Sequence, residues 1–592
     1  MHFAHLDSEE QKEQIDYKAT FKLIYRLLKP YKKDFFFAFC FLTGSTVFTL
    51  LNPIIAKHII DVSIQKKDVL SLVSFTSFFF INAVLIFVFD YLLGMRLVKT
   101  GQKIIVALKR RMLDHIMGLG LDFYSSHPVG TLTARIQSDT SALYDLFTNT
   151  VVPIFQDMFT FIAVFSIMAF FNLKLTLLFL PFFPVMLFLV YLFVRISSPV
   201  FIKTRRMASE ITYYLTEQLN GTAVLQAYNR QKDSADGLYD INRRKFNADY
   251  HAELYGVIFF TSILFLQPAA TATIFGVGGG MVLGGKLSVG VLVMFILYIT
   301  QLFEPIMRFT EHVSTIQRSF SAGHRITRIL AMKPSIEESQ EPVRISSIEK
   351  DIEFRHVWMK YKPEGNWILK DISFRLEKGR SLAIAGETGG GKTTITNLLF
   401  RFYEFQKGEI LIDGRDIRTI EQKSLRSAIG LIQQDIYLFP GTIMDNLKMM
   451  DKSISDERVF RAIKLMELDS FFRKHPLNKK IVEKGANLSI GEKQVIALAR
   501  ALILNQEILV LDEATSHMDP YTEQVVTNAV NKISEHKTLI IIAHRLSTIK
   551  NVDRIMMVSE GELKESGTHG ELMAAGGLYS KYYKLQYGEG GK

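Results

Sequence analysis

Residues 386 to 393 read Gly-Glu-Thr-Gly-Gly-Gly-Lys-Thr, between an apolar run, Ser381 to Ala385, and a helical pattern that begins at Ile395. Strand, glycine loop and helix in that order leave backbone N–H groups free at a helix N-terminus, where the dipole also favours negative charge. A di- or triphosphate belongs in such a cradle. Gly386 and Gly391 let the backbone wrap closely round a β-phosphate, with Glu387, Thr388, Gly389 and Gly390 forming the loop between them. Lys392 reaches the β and γ oxygens, the Thr393 hydroxyl is placed to ligate Mg²⁺, and Thr394 continues the site into the helix. ATP and Mg²⁺ are the expected ligands.

The 592 residues exceed what one core supports, so at least two domains are expected. Phe is abundant, and most of it lies before residue 310. That half reads as membrane. Charge-free stretches run from Phe35 to Ala56, Val69 to Phe89, Leu175 to Val194 and Leu254 to Gly285, each long enough to cross about 30 Å of hydrocarbon. Met158 to Leu173 and Leu287 to Phe303 are shorter and become adequate with flanking helix, giving six spans. Buried helices of a soluble core seldom hold more than about 14 apolar residues in a row.

A net charge of +11 raises nucleic acid as a partner, and its placement argues against one. Lys29, Lys32 and Lys33 precede the first span; Arg96, Lys99, Lys103, Lys109, Arg110 and Arg111 follow the second; Lys203, Arg205, Arg206, Arg243, Arg244 and Lys245 lie between the fourth and fifth. The opposite loops carry little, mainly Lys57, Lys66 and Lys67 offset by Asp61 and Asp68. By the positive-inside rule both termini are expected on the cytoplasmic side of the cell membrane, where ATP is. Glu9, Glu10, Lys12 and Glu13 precede any apolar run, which is unlike a cleavable signal peptide. Residues 18 to 29 read as an amphipathic helix on the inner membrane surface. The single Cys40 allows no intrachain disulfide.

Between spans two and three, and again between four and five, about 60 polar residues with helical spacing suggest hairpins that continue beyond the membrane. Leu121 to Gly130 and Asn220 to Gln226 are the candidate tips. Asp90, Asp157 and Glu304 are costly within spans unless paired or wet, which makes each a candidate cargo contact or a residue at a span end. Pro268 and Gly276 to Gly285 mark a kink or close approach in the fifth span. The boundaries so defined are an N-terminal segment over 1–33, a transmembrane domain over 34–331, a linker over 332–350 and a nucleotide domain over 351–592. In the last, Asp351 to Met359 and Trp367 to Leu376 are strand-like, and Ile508 to Leu511 and Leu539 to Ala543 read as buried parallel strands. The fold class is a helical membrane bundle plus an α/β P-loop domain.

Asp512 and Glu513 follow the apolar run Ile508 to Leu511, at the C-terminal end of a central strand, where such sheets bind ligands. Asp512 is expected to hold Mg²⁺ through water, and Glu513 to polarise the attacking water as general base. His544, after the next strand, is placed to contact the γ-phosphate. Tyr361, 25 residues before the cradle, suits stacking on adenine, although a tyrosine at a strand end is more often packing. Gln434 is placed to reach both the metal and a mobile loop.

The ordered set Tyr361, cradle, Gln434, Leu488-Ser-Ile-Gly-Glu-Lys-Gln494, Asp512-Glu513, Ser516-His-Met-Asp519 and His544 resembles the ATPase domain of ABC transporters. The six spans resemble their exporter subclass, with the hairpin tips as coupling helices. The resemblance implies that two ATPase domains meet head to tail, each ATP held between one cradle and the other subunit's signature loop. One copy of each half implies a half-transporter that works as a dimer by alternating access. The chain departs from the family signature Leu-Ser-Gly-Gly-Gln, having Ser489, Ile490, Gly491 and Glu492 after Leu488. Ile490 puts a β-branched side chain where glycine lets backbone approach the partner's γ-phosphate. Glu492 adds a repulsion of about 2 kcal/mol at a separation of about 8 Å, unless a cation such as Lys493 pairs with it. A weak signature beside a competent cradle suggests a heterodimer whose partner has the complementary defects, as in the family's heterodimeric bacterial drug exporters. Amphipathic small molecules are then the expected cargo, and membrane lipid the surrounding. A homodimeric lipid flippase, or a nucleotide-gated sensor or channel, is the alternative.

Overall fold

The computed structural model describes residues 16–512, 520–535, 537–543 and 549–587. The chain forms two compact units, one of Met1–Met117 with Val129–Met332 and one of Gly118–Pro128 with Lys333–Lys592.

In the first unit, five helical stretches are long and apolar enough to cross a membrane: Tyr17–Ile64, Val69–Met117, Val129–Phe171, Leu173–Asn220 and Gln231–Leu283. A shorter apolar stretch, Val289–Pro305, opens the helix Val289–Ala331. Each of the six spans read from sequence overlaps one of these. The third ends two residues before its expected limit. Asn172 leaves helical geometry there and its side chain accepts from the Leu175 N–H at 3.1 Å, capping the next helix. Large apolar side chains stand outward along these helices, Phe80 at 71%, Phe87 at 69% and Phe170 at 85% exposure. Lipid satisfies such surfaces and water does not.

Polar groups inside the spans mostly find partners. Ser45 donates to Asp90 at 2.5 Å, and Asp157 accepts from the Arg308 guanidinium at 2.5 Å with His312 at 3.4 Å on its other oxygen. Asp157 therefore has an internal pairing that offsets its desolvation, whereas Glu304 is exposed. On the loop side, Asp61 accepts from the Gly290 N–H at 2.7 Å and the Ser288 hydroxyl at 2.6 Å, closing the start of the last helix. The amphipathic helix expected near the N-terminus spans Tyr17–Leu28, capped by Asp16. It buries Thr20, Leu23 and Ile24 and leaves Tyr17, Phe21 and Tyr25 exposed.

In the second unit the strands are β1 (Asp351–Met359), β2 (Leu369–Glu377), β3 (Ser381–Gly386), β4 (Lys407–Ile412), β5 (Arg415–Asp416), β6 (Ile429–Ile432), β7 (Gly441–Thr442), β8 (Lys480–Ile481), β9 (Ile508–Asp512), β10 (Thr538–Ala543), β11 (Arg554–Ser559) and β12 (Glu562–Gly567). Among the described residues they form a six-stranded sheet in the order β12-β11-β3-β10-β9-β6, a four-stranded antiparallel sheet β2-β1-β4-β5 and a two-stranded antiparallel pair β7-β8. The strands β3, β6, β9, β10 and β11 run parallel. Their near-continuous apolar composition follows from burial on both faces, with Ala383, Ile384 and Ala385 at 0% exposure.

Two connecting segments belong with this unit. The tip Leu121–Ser126 forms a short helix here, and Asp122 accepts from the Ser335 hydroxyl at 2.7 Å. The second tip, around Gly221, stays in the first unit. The segment expected as a linker is fastened along its length. Val343 bridges Ile420, the Glu337 carbonyl accepts from Arg401 at 3.0 Å, and Glu338 accepts from the Gln422 N–H at 2.9 Å.

Candidate functional site

The cradle is built at the end of β3. Gly386 has φ 146° and an added Cβ would lie 1.9 Å from the Val558 carbonyl oxygen on the adjacent strand, so no other residue fits. Gly391 has φ 102° and turns the chain into the helix Lys392–Leu399. Lys392 is buried at 5% exposure, and its ammonium donates to the carbonyls of Gly386 at 2.9 Å and Glu387 at 2.7 Å. The Gly390 N–H donates to the Glu387 carbonyl at 3.1 Å. The loop is thus a tight, cation-centred turn whose exposed residues Thr388 and Gly389 border the opening. A glycine-lined loop around a buried ammonium fits polyphosphate.

Parallel pairing carries the other candidates to the same sheet edge. Ala385 at the end of β3 stands beside Ala543 of β10, Asp512 of β9 beside Ile542, and Ile432 of β6 beside Leu511. With strands about 4.8 Å apart, Asp512 lies roughly 10 Å along the sheet from the cradle strand. Gln434, two residues beyond β6, is exposed, as is Thr393. Glu513 and His544 lie outside the described residues, as does Ser516 to Asp519. Among the described residues no group of three or more His, Cys, Asp or Glu is arranged to hold a metal ion by itself. Thr393, Gln434 and Asp512 offer one hydroxyl, one amide and one carboxylate. That donor set suits Mg²⁺, which takes most of its ligands from substrate phosphate and water.

Tyr361 is 43% exposed and packs edge to face on Tyr403, with centroids 4.8 Å apart at 86°. Its hydroxyl pairs with Thr394 at 3.0 Å and accepts from Asn397 at 3.2 Å. The ring is therefore fixed above the helix that follows the cradle, with surface left for a planar ligand. Tyr403 sits between Tyr361 and the tip helix: burial raises its phenol above the ordinary value, Tyr361 and Asp122 adding to the rise and Ser125 opposing it. Tyr361→Ala is expected to raise the Michaelis constant for ATP by about fivefold through a lost stacking contact of roughly 1 kcal/mol, with turnover little changed. Steady-state kinetics over ATP concentration would read this, and an unchanged constant would assign adenine to another aromatic.

The signature loop closes on itself. Ser489 is the N-cap of the helix Ile490–Ile503, its hydroxyl accepting from the Glu492 N–H at 3.1 Å while Glu492 accepts from the Ser489 N–H at 2.7 Å. This reciprocal capping box uses the side chain expected to repel phosphate. The side chain that pairs with Glu492 is not Lys493, whose ammonium donates to the Lys484 carbonyl at 3.0 Å. It is His475, at 3.0 Å. Lys479 lies 3.3 Å from His475 Nδ1 and can only donate, so Nε2 carries the proton given to Glu492. Burial holds the His475 pKa below the usual imidazole value, Glu492 opposing and Lys479 and Lys474 adding to the depression. Gly491 is buried and Ile490 is 51% exposed, so the β-branched side chain remains at the loop surface.

Sequence reasoning missed two contributors. His475 is 17 residues before Glu492, and Tyr582 donates to Glu387 at 2.6 Å from the last helix of the unit. Neither falls in a periodic or motif position, so only folding brings them to the site.

Residues 35–306 match the family model described as the ABC transporter transmembrane region, and residues 369–516 match the one described as ABC transporter. The chain is 34% identical to YheH of Bacillus subtilis (strain 168), provisionally named a multidrug resistance ABC transporter ATP-binding/permease protein, over 84% of this chain and 74% of YheH. It is 31% identical to the ATP-dependent lipid A-core flippase of Desulfotalea psychrophila (strain LSv54 / DSM 12343), over 96% of this chain and 100% of that protein. The structure of a bacterial Atm1-family ABC exporter with ATP bound is similar over 95% of this chain and 99% of its own, with TM-score 0.78 and 26% identity.

Proposed function

This chain belongs to the ABC transporters, ATP-driven translocases, with transmembrane region and ATPase domain in one polypeptide, and on that premise we propose that it exports amphipathic small molecules as one half of a heterodimer. The observation that carries the reading is the pairing of a well-formed cradle with a self-capped signature loop. Lys392 and the loop N–H groups bind and orient the triphosphate, Tyr361 holds the base, and Glu513 takes the proton of the attacking water, with His544 on the γ-phosphate. When bound through Thr393, Gln434 and Asp512, Mg²⁺ supplies charge neutralisation at the β and γ oxygens. Ser489 and Glu492 cap each other, the second Glu492 oxygen lies against His475, and Ile490 crowds the surface that would meet the partner's nucleotide. The partner's own site is then the weaker one. ATP-driven closure reaches the spans through the tip at Leu121–Ser126, with both termini in the cytoplasm.

A lipid cargo is the second reading, favoured by the full-length similarity to a lipid A-core flippase. The two are separated by expressing the chain alone and reconstituting it. The heterodimer reading expects weak ATPase alone and restored activity with the partner subunit. Ile490→Gly with Glu492→Gln is expected to raise ATPase of the complex by no more than about twofold, since the partner's missing base still limits that site. A chain that alone hydrolyses ATP as fast as the native complex sinks the heterodimer. Stimulation by labelled lipid and none by amphipathic drugs would instead favour the flippase.

A further inference from the structure

Glu387 is pinned twice. Its backbone carbonyl accepts from the Lys392 ammonium at 2.7 Å and the Gly390 N–H at 3.1 Å, and its carboxylate accepts from the Tyr582 hydroxyl at 2.6 Å. Tyr582 is 195 residues away in sequence, on the helix Leu578–Tyr587. That helix is anchored without help from Glu387. The Glu565 carboxylate accepts from the backbone N–H of Leu578 and, at 3.0 Å, of Tyr579. Tyr579 is at 0% exposure with its hydroxyl 2.7 Å from His569 Nδ1, and the Lys550 ammonium lies 5.2 Å from the Tyr583 ring centroid. Tyr582 is therefore presented by a rigid element, whereas Glu387 is an exposed side chain on the loop itself.

A carboxylate on a phosphate loop is a hazard. Released, it repels a triphosphate and competes with it for the Lys392 ammonium, which already lies against the Glu387 backbone. We propose that Tyr582 is a positioning residue of the nucleotide site, its hydroxyl parking the Glu387 carboxylate on the C-terminal helix so that the charge stays off the bound triphosphate. This rests on residues 386–393 being the ATP cradle. The contact is also consistent with the Tyr582 phenol, which the hydrogen bond to Glu387 raises above the usual tyrosine value and so keeps in its donor form.

The test uses the full chain in its native membrane complex, with ATPase measured over ATP concentration. Tyr582→Phe removes only the hydroxyl and is expected to raise the Michaelis constant about fivefold while turnover stays within about twofold, the gap narrowing at high salt. Adding Glu387→Gln to Tyr582→Phe is expected to bring the constant back to that of Glu387→Gln alone, because the charge to be parked is gone. A constant unchanged in Tyr582→Phe overturns the proposal. So does a rise that persists in the double variant, which would make Tyr582 a mere prop of its helix. Binding of trinitrophenyl-ATP to Lys392→Ala separates the premise: undiminished binding there sinks the cradle reading itself, whereas binding reduced to that of the partner's site with an unresponsive Tyr582→Phe sinks only this proposal.

Discussion

Glu513→Gln is expected to keep ATP binding and to lower ATPase turnover by about 10² to 10⁴, the range for loss of a positioned general base. The amide preserves shape and the hydrogen bond that orients water, and removes the proton acceptor. Glu513 follows Asp512, the last residue of β9, a strand in parallel register beside β10 and two strands from the cradle strand β3. Nucleotide should therefore accumulate unhydrolysed in the variant. Turnover and retained nucleotide measured on the purified complex check both halves of the expectation, and near wild-type turnover would remove Glu513 from the role of base.

Lys392→Ala is expected to reduce transport to background and ATPase by at least about 10². The ammonium is nearly buried and bonded to two loop carbonyls, so its loss removes the counter-charge for phosphate and also a tie that shapes the turn. Because this cradle is proposed as the competent site of the pair, the equivalent lysine change in the partner subunit is expected to be the milder of the two. Efflux of a fluorescent amphipathic dye from cells carrying each variant reads the difference. Equal loss from both changes would mean two equivalent sites and would count against the heterodimer.

Much of the architecture was legible in the chain because it rests on local chemistry. Uncharged stretches of span length have nowhere to go but lipid, and the runs Ile508 to Leu511 and Leu539 to Ala543 read as strands because burial on both faces demands continuous apolar sequence. The geometry of the glycine loop was legible for the same reason: Gly386 and Gly391 adopt positive φ that other residues resist, so the backbone turn is written directly in residue type. The end of the third span was misplaced because the stop is a single side-chain cap at Asn172, too small a signal against the apolar run around it.

What sequence by itself determined, then, is which segments are apolar and long enough to cross a membrane and where the glycine loop turns into its helix, consequences of composition and backbone permission. What only the tertiary structure decided is how the charges in those segments are spent. Glu492 reads as a charge aimed at phosphate until its two oxygens are seen on the Ser489 N–H and His475, and Asp157 reads as a bare carboxylate in a span until Arg308, 151 residues on, is beside it. Glu387 reads as an idle loop position until Tyr582 reaches it from the end of the chain. A carboxylate's effect depends on which donors stand within about 3 Å, and donors brought together by folding leave no spacing in the sequence to announce them.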